Sequence, residues 1–200
     1  MKRTILAVTL LLGLTFLFAG CSSAPTAEID AAKAAIKNAQ TEEIRTYAPD
    51  SLKAAEDGLS KALGEVQTQD AKFSLSRDYK QAAALLKSAK DLAEKANEDA
   101  LAGKAKAKAD AEATIAALPQ ALDDAKKALA KAPRGKDTKA DLEAMQNDLK
   151  LAQEELAGAN AAMAEAKYSD ALAKANSAKT KATAIIDQVT KALEKAKGRR

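Results

Sequence analysis

The residue with the clearest chemical potential is Cys21, which is the only cysteine among the 200 residues. Two basic residues precede an apolar run from Ile5 to Phe18, and the small residues Ala19 and Gly20 then lead into this cysteine. Such an order is typical of a secretory signal peptide, and an apolar run of about 14 residues is too short to span a membrane. We therefore exclude residues 1–20 from the fold and expect cleavage before Cys21.

A thiol at this position can carry a lipid. It can form a thioether to diacylglycerol, which Ser or Ala at the same position could not do. Each buried methylene group contributes about 0.8 kcal/mol, so two or more acyl chains make an effectively permanent anchor. An ordinary signal peptide, or an uncleaved anchor with Cys21 there by chance, is the alternative interpretation.

The sequence Phe18-Ala19-Gly20-Cys21 resembles the lipobox of bacterial lipoproteins, with Phe18 in place of the usual aliphatic residue. The resemblance implies that Cys21 is acylated and becomes the first residue of the mature protein. Since Ser22 follows rather than Asp, it also implies delivery to the outer membrane of a two-membrane bacterium, on the periplasmic side.

The rest of the chain offers little catalytic chemistry. The chain has no His and no second Cys, so a Ser-His-Asp triad, a Cys-His pair, a zinc site of N and S ligands and a c-type haem are all excluded. The pairs Asp123-Asp124 and Glu154-Glu155 are adjacent, and on a helix each pair diverges by about 100°. The Gly residues after position 20 are isolated from one another. We expect no enzyme, cofactor or metal, and Cys21 is the only site residue that we assign.

Two tyrosines begin the third predicted helix of each half of the chain, at Tyr79 and Tyr168. They could stack on a ligand, or they could fill the space where a helical hairpin turns, with the hydroxyl group reaching water. We favour the second interpretation, and we apply it to Tyr47 and Phe73 as well.

The charge pattern argues against a nucleic-acid partner. Without residues 1–20 the chain keeps 30 basic and 28 acidic side chains, and the two signs are interleaved. The segment 104–139 has nine basic and five acidic side chains, an excess that suits an exposed helix face.

The composition predicts an all-α protein. The chain has 51 Ala and 26 Lys, aromatic residues are only 3%, and no run of alternating β-branched residues occurs. Any core must be thin and built from Ala and Leu, so we expect long antiparallel helices in a bundle or coiled coil. The clearest apolar seam, with spacings of three and four residues, extends from Leu142 to Ala166.

Turn and capping residues predict where these helices begin and end. We expect a first helix over 27–47 and a second one, capped by Asp50 or Ser51, whose seam reaches Phe73 and is interrupted only by Gln69. A polar turn should follow over 74–78.

A third helix should follow, with its seam from Ala82 to Ala96, and the stretch from Gly103 to Asp110, which has no large apolar residue, is either an exposed extension of it or a flexible connector. A fourth helix, with its seam from Ala111 to Ala132, contains Pro119, which predicts a break or a kink near residue 118. The segment Pro133 to Gly135 should end that helix. Asp137 or Thr138 should cap the fifth helix, and the sixth should begin near Tyr168.

Two segments repeat along the chain, which indicates a duplication of a three-helix unit. Residues 51–62 match 141–152 at an offset of 90, and residues 79–90 match 168–179 at an offset of 89. Chance similarity in an Ala-rich sequence is the alternative. The expected organisation is a signal peptide over 1–20, a lipidated tether over 21–26, a first helical unit over 27–118 and a second over 119–200.

The lipobox, Tyr47-Ala48-Pro49 with Leu52, and Tyr79 together resemble an Ala-rich α-helical bacterial lipoprotein family known only as a domain of unknown function. The likeness covers about residues 21–97, and the family implies no activity. Two roles follow as hypotheses: a structural or scaffolding protein of the cell envelope, or an accessory module that binds an envelope protein, peptide or anionic glycan. Candidate partners are the membrane through its lipid anchor, peptidoglycan, an envelope protein and a second copy of the chain.

Overall fold

The computed structural model describes residues 23–135 and 138–197. It contains six α-helices in this part of the chain and, over the same residues, no β-strand, which confirms the all-α prediction. A short 3-10 helix, Ser74–Ser76, lies between the third and fourth helices. The helices are α1 (Thr26–Ala39), α2 (Glu42–Tyr47), α3 (Pro49–Asp70), α4 (Lys80–Lys131), α5 (Lys139–Ala164) and α6 (Tyr168–Lys197).

The predicted helix over 27–47 is wrong, because the chain forms two helices that are separated at Gln40 and Thr41. The Thr41 hydroxyl accepts a hydrogen bond from the backbone N–H of Ile44 at 3.2 Å and so caps α2. Glu42 and Glu43 lie in the first turn of α2, where the helix dipole favours acidic residues. Thr-Glu-Glu was therefore a start signal inside the expected helix.

The cap that we expected at the start of α3 does not form. The α3 helix begins at Pro49, and Ala48 at its N-cap makes no side-chain cap, so Asp50 and Ser51 already lie inside the helix. Proline suits this first position because the missing N–H would have no partner within the helix.

Thr138 does occupy the N-cap position of α5, but it makes no cap hydrogen bond to that helix. Its hydroxyl instead contacts the preceding turn, donating to the carbonyl of Pro133 at 3.1 Å. The other candidate cap, Asp137, lies outside the described residues.

Of the break or kink expected near residue 118, the break is wrong, because α4 continues through Pro119 to Lys131. Leu118 is buried, whereas Pro119 lies on the exposed side of the helix. Water can therefore reach the carbonyl of Ile115, which loses its donor to the proline. Burial of the apolar face thus keeps α4 continuous at Pro119, where local propensity favours the end of a helix.

The chain divides into two compact units at Ala100/Leu101, whereas we expected from the sequence a division at 118/119. Residues 101–118 lie with the second unit because their apolar side chains pack in its core. Ala111 contacts Ala162 and Ala171, and Ile115 packs against the large cluster that contains Leu118.

The first unit contains α1, α2, α3 and the start of α4. Ala32 of α1 packs with Ala62 of α3. Ile36 and Ala39 come later in α1, and their cluster contains Leu52 and Ala55, which come earlier in α3. The α1 helix is therefore antiparallel to α3. Alanine at most of these positions lets the helix backbones approach closely.

The second unit contains the rest of α4 together with α5 and α6. A turn of three residues, 165–167, connects α5 to α6, which makes the two helices antiparallel neighbours. Their contact is lined by alternating large and small residues, and Met145, Ala152, Ile185 and Val189 are buried there. Each unit thus contains an antiparallel hairpin, which α1 and α2 precede in the first unit and the second part of α4 precedes in the second.

Candidate functional site

The candidate site, Cys21, lies outside the described residues, so its surroundings are the part of the fold where the described chain begins. Ala24 packs against a small cluster that contains Val66, Tyr79 and Ala82, and Pro25 is buried. The Pro25 carbonyl accepts a hydrogen bond from the N–H of Ile29 at 3.0 Å. The chain is therefore packed onto the first unit from Ala24 onward.

The N-terminal residues 23–28 line a surface groove of about 460 Å³. They form one part of its lining, and Asp78, Tyr79, Lys80 and Ala83 form the other. The N-terminal segment thus lies against the junction between the α3–α4 turn and α4. Cys21 is only two positions before Ser23, so its Cα lies within about 7 Å of the Ser23 Cα by covalent geometry.

Polar side chains hold the α3–α4 turn in one conformation. The phenol of Tyr79 donates a hydrogen bond to the carboxylate of Asp70. Gln69, only 6% exposed, donates to Glu65 at 2.8 Å and accepts from the backbone N–H of Asp78 at 3.0 Å. The one polar residue in the α3 seam therefore connects the end of α3 to the start of α4.

Arg77 closes the C-terminal end of α3. Its guanidinium donates to the carbonyl of Asp70 at 2.8 Å and to that of Lys72 at 3.0 Å. These carbonyls have no helical donor at the end of a helix, and a cation there is also favoured by the helix dipole. The side chain of Asp78 accepts from the N–H of Lys80 at 3.0 Å and supports the start of α4.

The hydrogen bond from Tyr79 to Asp70 raises the pKa of the phenol above its ordinary value, and burial raises the pKa further. The phenol therefore keeps its proton at neutral pH and acts as a hydrogen-bond donor. Tyr79 is only 5% exposed. This geometry supports the turn-filling interpretation of Tyr79, with one correction: the hydroxyl group binds a carboxylate.

Tyr168 has different surroundings at the start of α6. It is half-buried, and the ammonium of Lys108 on α4 lies 5.8 Å from the centre of its ring, within the range of a cation–π contact. The Lys-rich stretch 104–108 is part of α4, as a solvated helix face requires. Tyr47 packs against the core of the first unit.

Phe73 contradicts the prediction made for it. It is 74% exposed, beyond the end of α3, and Leu75 in the same turn is 70% exposed. The α3 seam ends at Gln69 because the hydrogen bonds of the turn redirect the chain there. The spacing of apolar residues does not predict that the seam ends at Gln69, since Phe73 continues the pattern of three and four residues.

The paired carboxylates are directed to separate partners. Asp123 pairs with Lys127 at 2.5 Å, and Asp124 accepts from Gln120 at 2.9 Å. Glu154 and Glu155 lie 3.8 Å from Lys150 and Lys174, respectively. Neither pair converges on a common point, and over residues 23–135 and 138–197 no group of three or more acidic or Cys side chains is placed to hold a metal ion.

Comparison of the chain with known protein families, with curated proteins and with solved structures yields no match. Within the part of the chain that the structure describes, the helices all lack the combination of length and apolar character that crossing a membrane requires.

Proposed function

We propose that the protein is a lipoprotein of the outer membrane, anchored on the periplasmic side through acylated Cys21, with a structural or scaffolding role in the cell envelope. The observation that carries this proposal is the position of the only cysteine, directly after an apolar run of signal-peptide length and two small residues. The resemblance to the Ala-rich lipoprotein family agrees with it.

The fold supports the role in two respects. The described chain consists almost entirely of helix, and its surface is covered with exposed pairs of Lys with Asp or Glu one helical turn apart, such as Lys53 with Asp57 and Lys87 with Asp91. The N-terminal segment is packed onto the first unit, so this unit is held close to the point of attachment. Long helices next to a permanent anchor suit a protein that spaces or connects envelope layers.

The anchor can be tested by feeding an alkyne-labelled palmitate analogue to a two-membrane bacterium that expresses the full chain. We expect the label on the wild-type protein in the outer-membrane fraction and none on the Cys21→Ser variant. Ser22→Asp is the matched control: it should keep the label but remain in the inner membrane. An unlabelled wild-type protein would contradict the anchor, whereas a labelled one in the inner membrane would contradict only the location.

The second candidate is an accessory binding module, and one groove in the second unit favours it. The groove has a volume of about 460 Å³. Leu129 and Leu142 line it together with Arg134, Lys139 and other residues. Glu143 also lines the groove and lies 3.9 Å from Lys139, so Arg134 is the cation that, beside the apolar side chains, suits a carboxylate of an acidic peptide or of an anionic glycan.

Photo-crosslinking in cells separates these two roles. The crosslinker is placed at Gln146, which lines the groove, and in a second variant at Thr183, an exposed residue of α6 that does not line it. A binding module predicts one reproducible foreign adduct at Gln146 and none at Thr183. A structural role predicts no adduct that depends on the position, or adducts only to cell wall and to other copies of the chain.

A further inference from the structure

The α3–α4 turn exposes two large apolar side chains in a segment that hydrogen bonds hold in one conformation. Phe73 and Leu75 are 74% and 70% exposed. Ser76 donates both its backbone N–H and its hydroxyl to the carbonyl of Phe73, each at 2.8 Å, and Arg77 holds the preceding carbonyls. The two apolar side chains are therefore held outside the core by a hydrogen-bonded turn.

Closing a helical hairpin does not require these residues. The second unit closes its hairpin with three residues, 165–167, none of which is large and apolar, whereas the first unit uses nine, 71–79. The additional residues include Phe73 and Leu75. They contribute nothing to the described core, and a contact outside the first unit would account for two such side chains in one turn.

The position of the N-terminal segment supplies one. Ala24 packs beside Tyr79, the last residue of the same turn, and Ser23 lines a groove together with Asp78. Cys21 is two residues earlier, so covalent geometry keeps it within about 7 Å of Ser23. The exposed turn and the attachment point thus lie at the same end of the first unit.

We propose that Phe73 and Leu75 insert into the surface of the membrane that holds Cys21, as a second, non-covalent contact beside the lipid. This inference rests on the proposed anchor. Lys72 and Lys80 flank the turn and are exposed, and side chains of this length can reach lipid phosphates while their methylene groups remain near the acyl chains. The two contacts together would fix the orientation of the first unit relative to the membrane, which a single point of attachment does not.

The chain has no Trp, so a single introduced Trp reports its own surroundings. We would prepare full-length Leu75→Trp and, as the matched control, Leu101→Trp, whose leucine is also exposed, at 64%. Position 101 is 21 residues beyond the start of α4, which is about 32 Å along the helix. Each protein, purified from membranes, is reconstituted into vesicles of phosphatidylethanolamine and phosphatidylglycerol with brominated phosphatidylcholine as the quencher.

We expect quenching of Trp fluorescence to be at least roughly twofold greater at position 75 than at position 101, because interfacial apolar side chains reach the acyl boundary where the bromine atoms lie. Equal quenching at both positions in vesicle-bound protein, or absence of vesicle binding, would overturn the inference. A reproducible protein adduct from a crosslinker at position 75 in cells would also overturn it and assign the turn to a protein partner. The intact mass reports acylation of Cys21 independently, so failure of the anchor is distinguishable from failure of the turn to contact lipid.

Discussion

Ala166 is the residue whose backbone departs most clearly from ordinary geometry. It has a φ of 57°, the only positive φ in the described residues. It ends α5 in a Schellman motif: Lys167 N–H donates to the Ala162 carbonyl at 2.9 Å, and Ala166 N–H donates to that of Met163 at 3.1 Å. Glycine normally occupies this position because it has no Cβ to clash.

Replacing this residue should therefore stabilise the protein. We expect Ala166→Gly to raise the free energy of unfolding by about 0.5–1 kcal/mol. The substitution removes the steric cost of an alanine with left-handed backbone, and the greater entropy of glycine in the unfolded chain offsets only part of this gain. Ala164→Gly, in the last turn of α5, is the control and should lower the free energy by about as much. Urea denaturation measures both, and a loss of stability in Ala166→Gly would contradict the motif.

Asp99 connects two helices of the first unit. Its carboxylate accepts hydrogen bonds from Lys95 at 2.6 Å and from the Ser51 hydroxyl on α3 at 2.6 Å. The Lys95 hydrogen bond, followed by that of Ser51, lowers the pKa of Asp99 below its ordinary value of 3.8. A carboxyl with a lowered pKa stabilises the fold above the pKa of the unfolded chain, and this stabilisation is lost as the pH falls through the folded value.

This geometry predicts a pH dependence. We expect the melting temperature of the wild-type protein to fall between about pH 5 and pH 2.5 by more than that of Asp99→Asn, which no longer titrates at this position. Ser51→Ala should give an intermediate fall, because Lys95 remains. Melting curves recorded by circular dichroism give the comparison, and parallel pH profiles for wild type and Asp99→Asn would rule out this role of Asp99.

At the scale of the elements, local propensity and long-range packing favour different structures for α4. It contains Pro119 and, before that, the stretch 103–110, which lacks large apolar residues, yet it remains one helix. Its exposed ion pairs add little, because solvent screens such pairs and most of them have Lys on the N-terminal side, which is the weaker orientation. The apolar face that includes Leu118 and Leu122 therefore accounts for its continuity.

If packing keeps α4 helical although Pro119 destabilises it, replacing this proline should make the protein more stable. We expect Pro119→Ala to raise the free energy of unfolding by about 1–3 kcal/mol, because the N–H to the Ile115 carbonyl is restored on an exposed face. Gln120→Ala, the exposed neighbour, is the control, with a change of at most about 0.5 kcal/mol. Chemical denaturation measures both. An unchanged stability in Pro119→Ala would show that the chain is already relaxed at the proline.

At the scale of the whole molecule, each unit has its own apolar clusters, built around a few large side chains among many alanines. Leu86 in the first unit and Ile185 in the second are each only 1% exposed. Since Ala contributes little buried area, these large residues account for a disproportionate share of the hydrophobic stabilisation.

Leu86→Ala should cost about 2–5 kcal/mol, the transfer free energy of the side chain together with the cavity that it leaves. Because Leu86 packs with Ala32 and Ala62, native-state hydrogen exchange should become faster mainly in α1 and α3. Ile185→Ala is the reciprocal variant, and its effect should be largest in α5 and α6. Equal acceleration in all of these helices after either substitution would contradict separate cores.

The sequence by itself determined the helical class, the ends at Pro49 and near Pro133, and the α5 seam from Leu142 to Met163, because helix propensity and apolar periodicity act over short stretches of chain. The predicted last member of that seam, Ala166, is exposed beyond the end of α5. Only the tertiary structure decided that α4 passes through Pro119 and that Phe73 lies outside the core. It also decided that Ile185 is almost fully buried while its neighbour Ile186 is only partly buried against the same cluster. These outcomes depend on side chains that are distant in sequence, since partners on other helices select which face is buried and which hydrogen bonds end a seam. Periodicity along one helix contains no information about those partners.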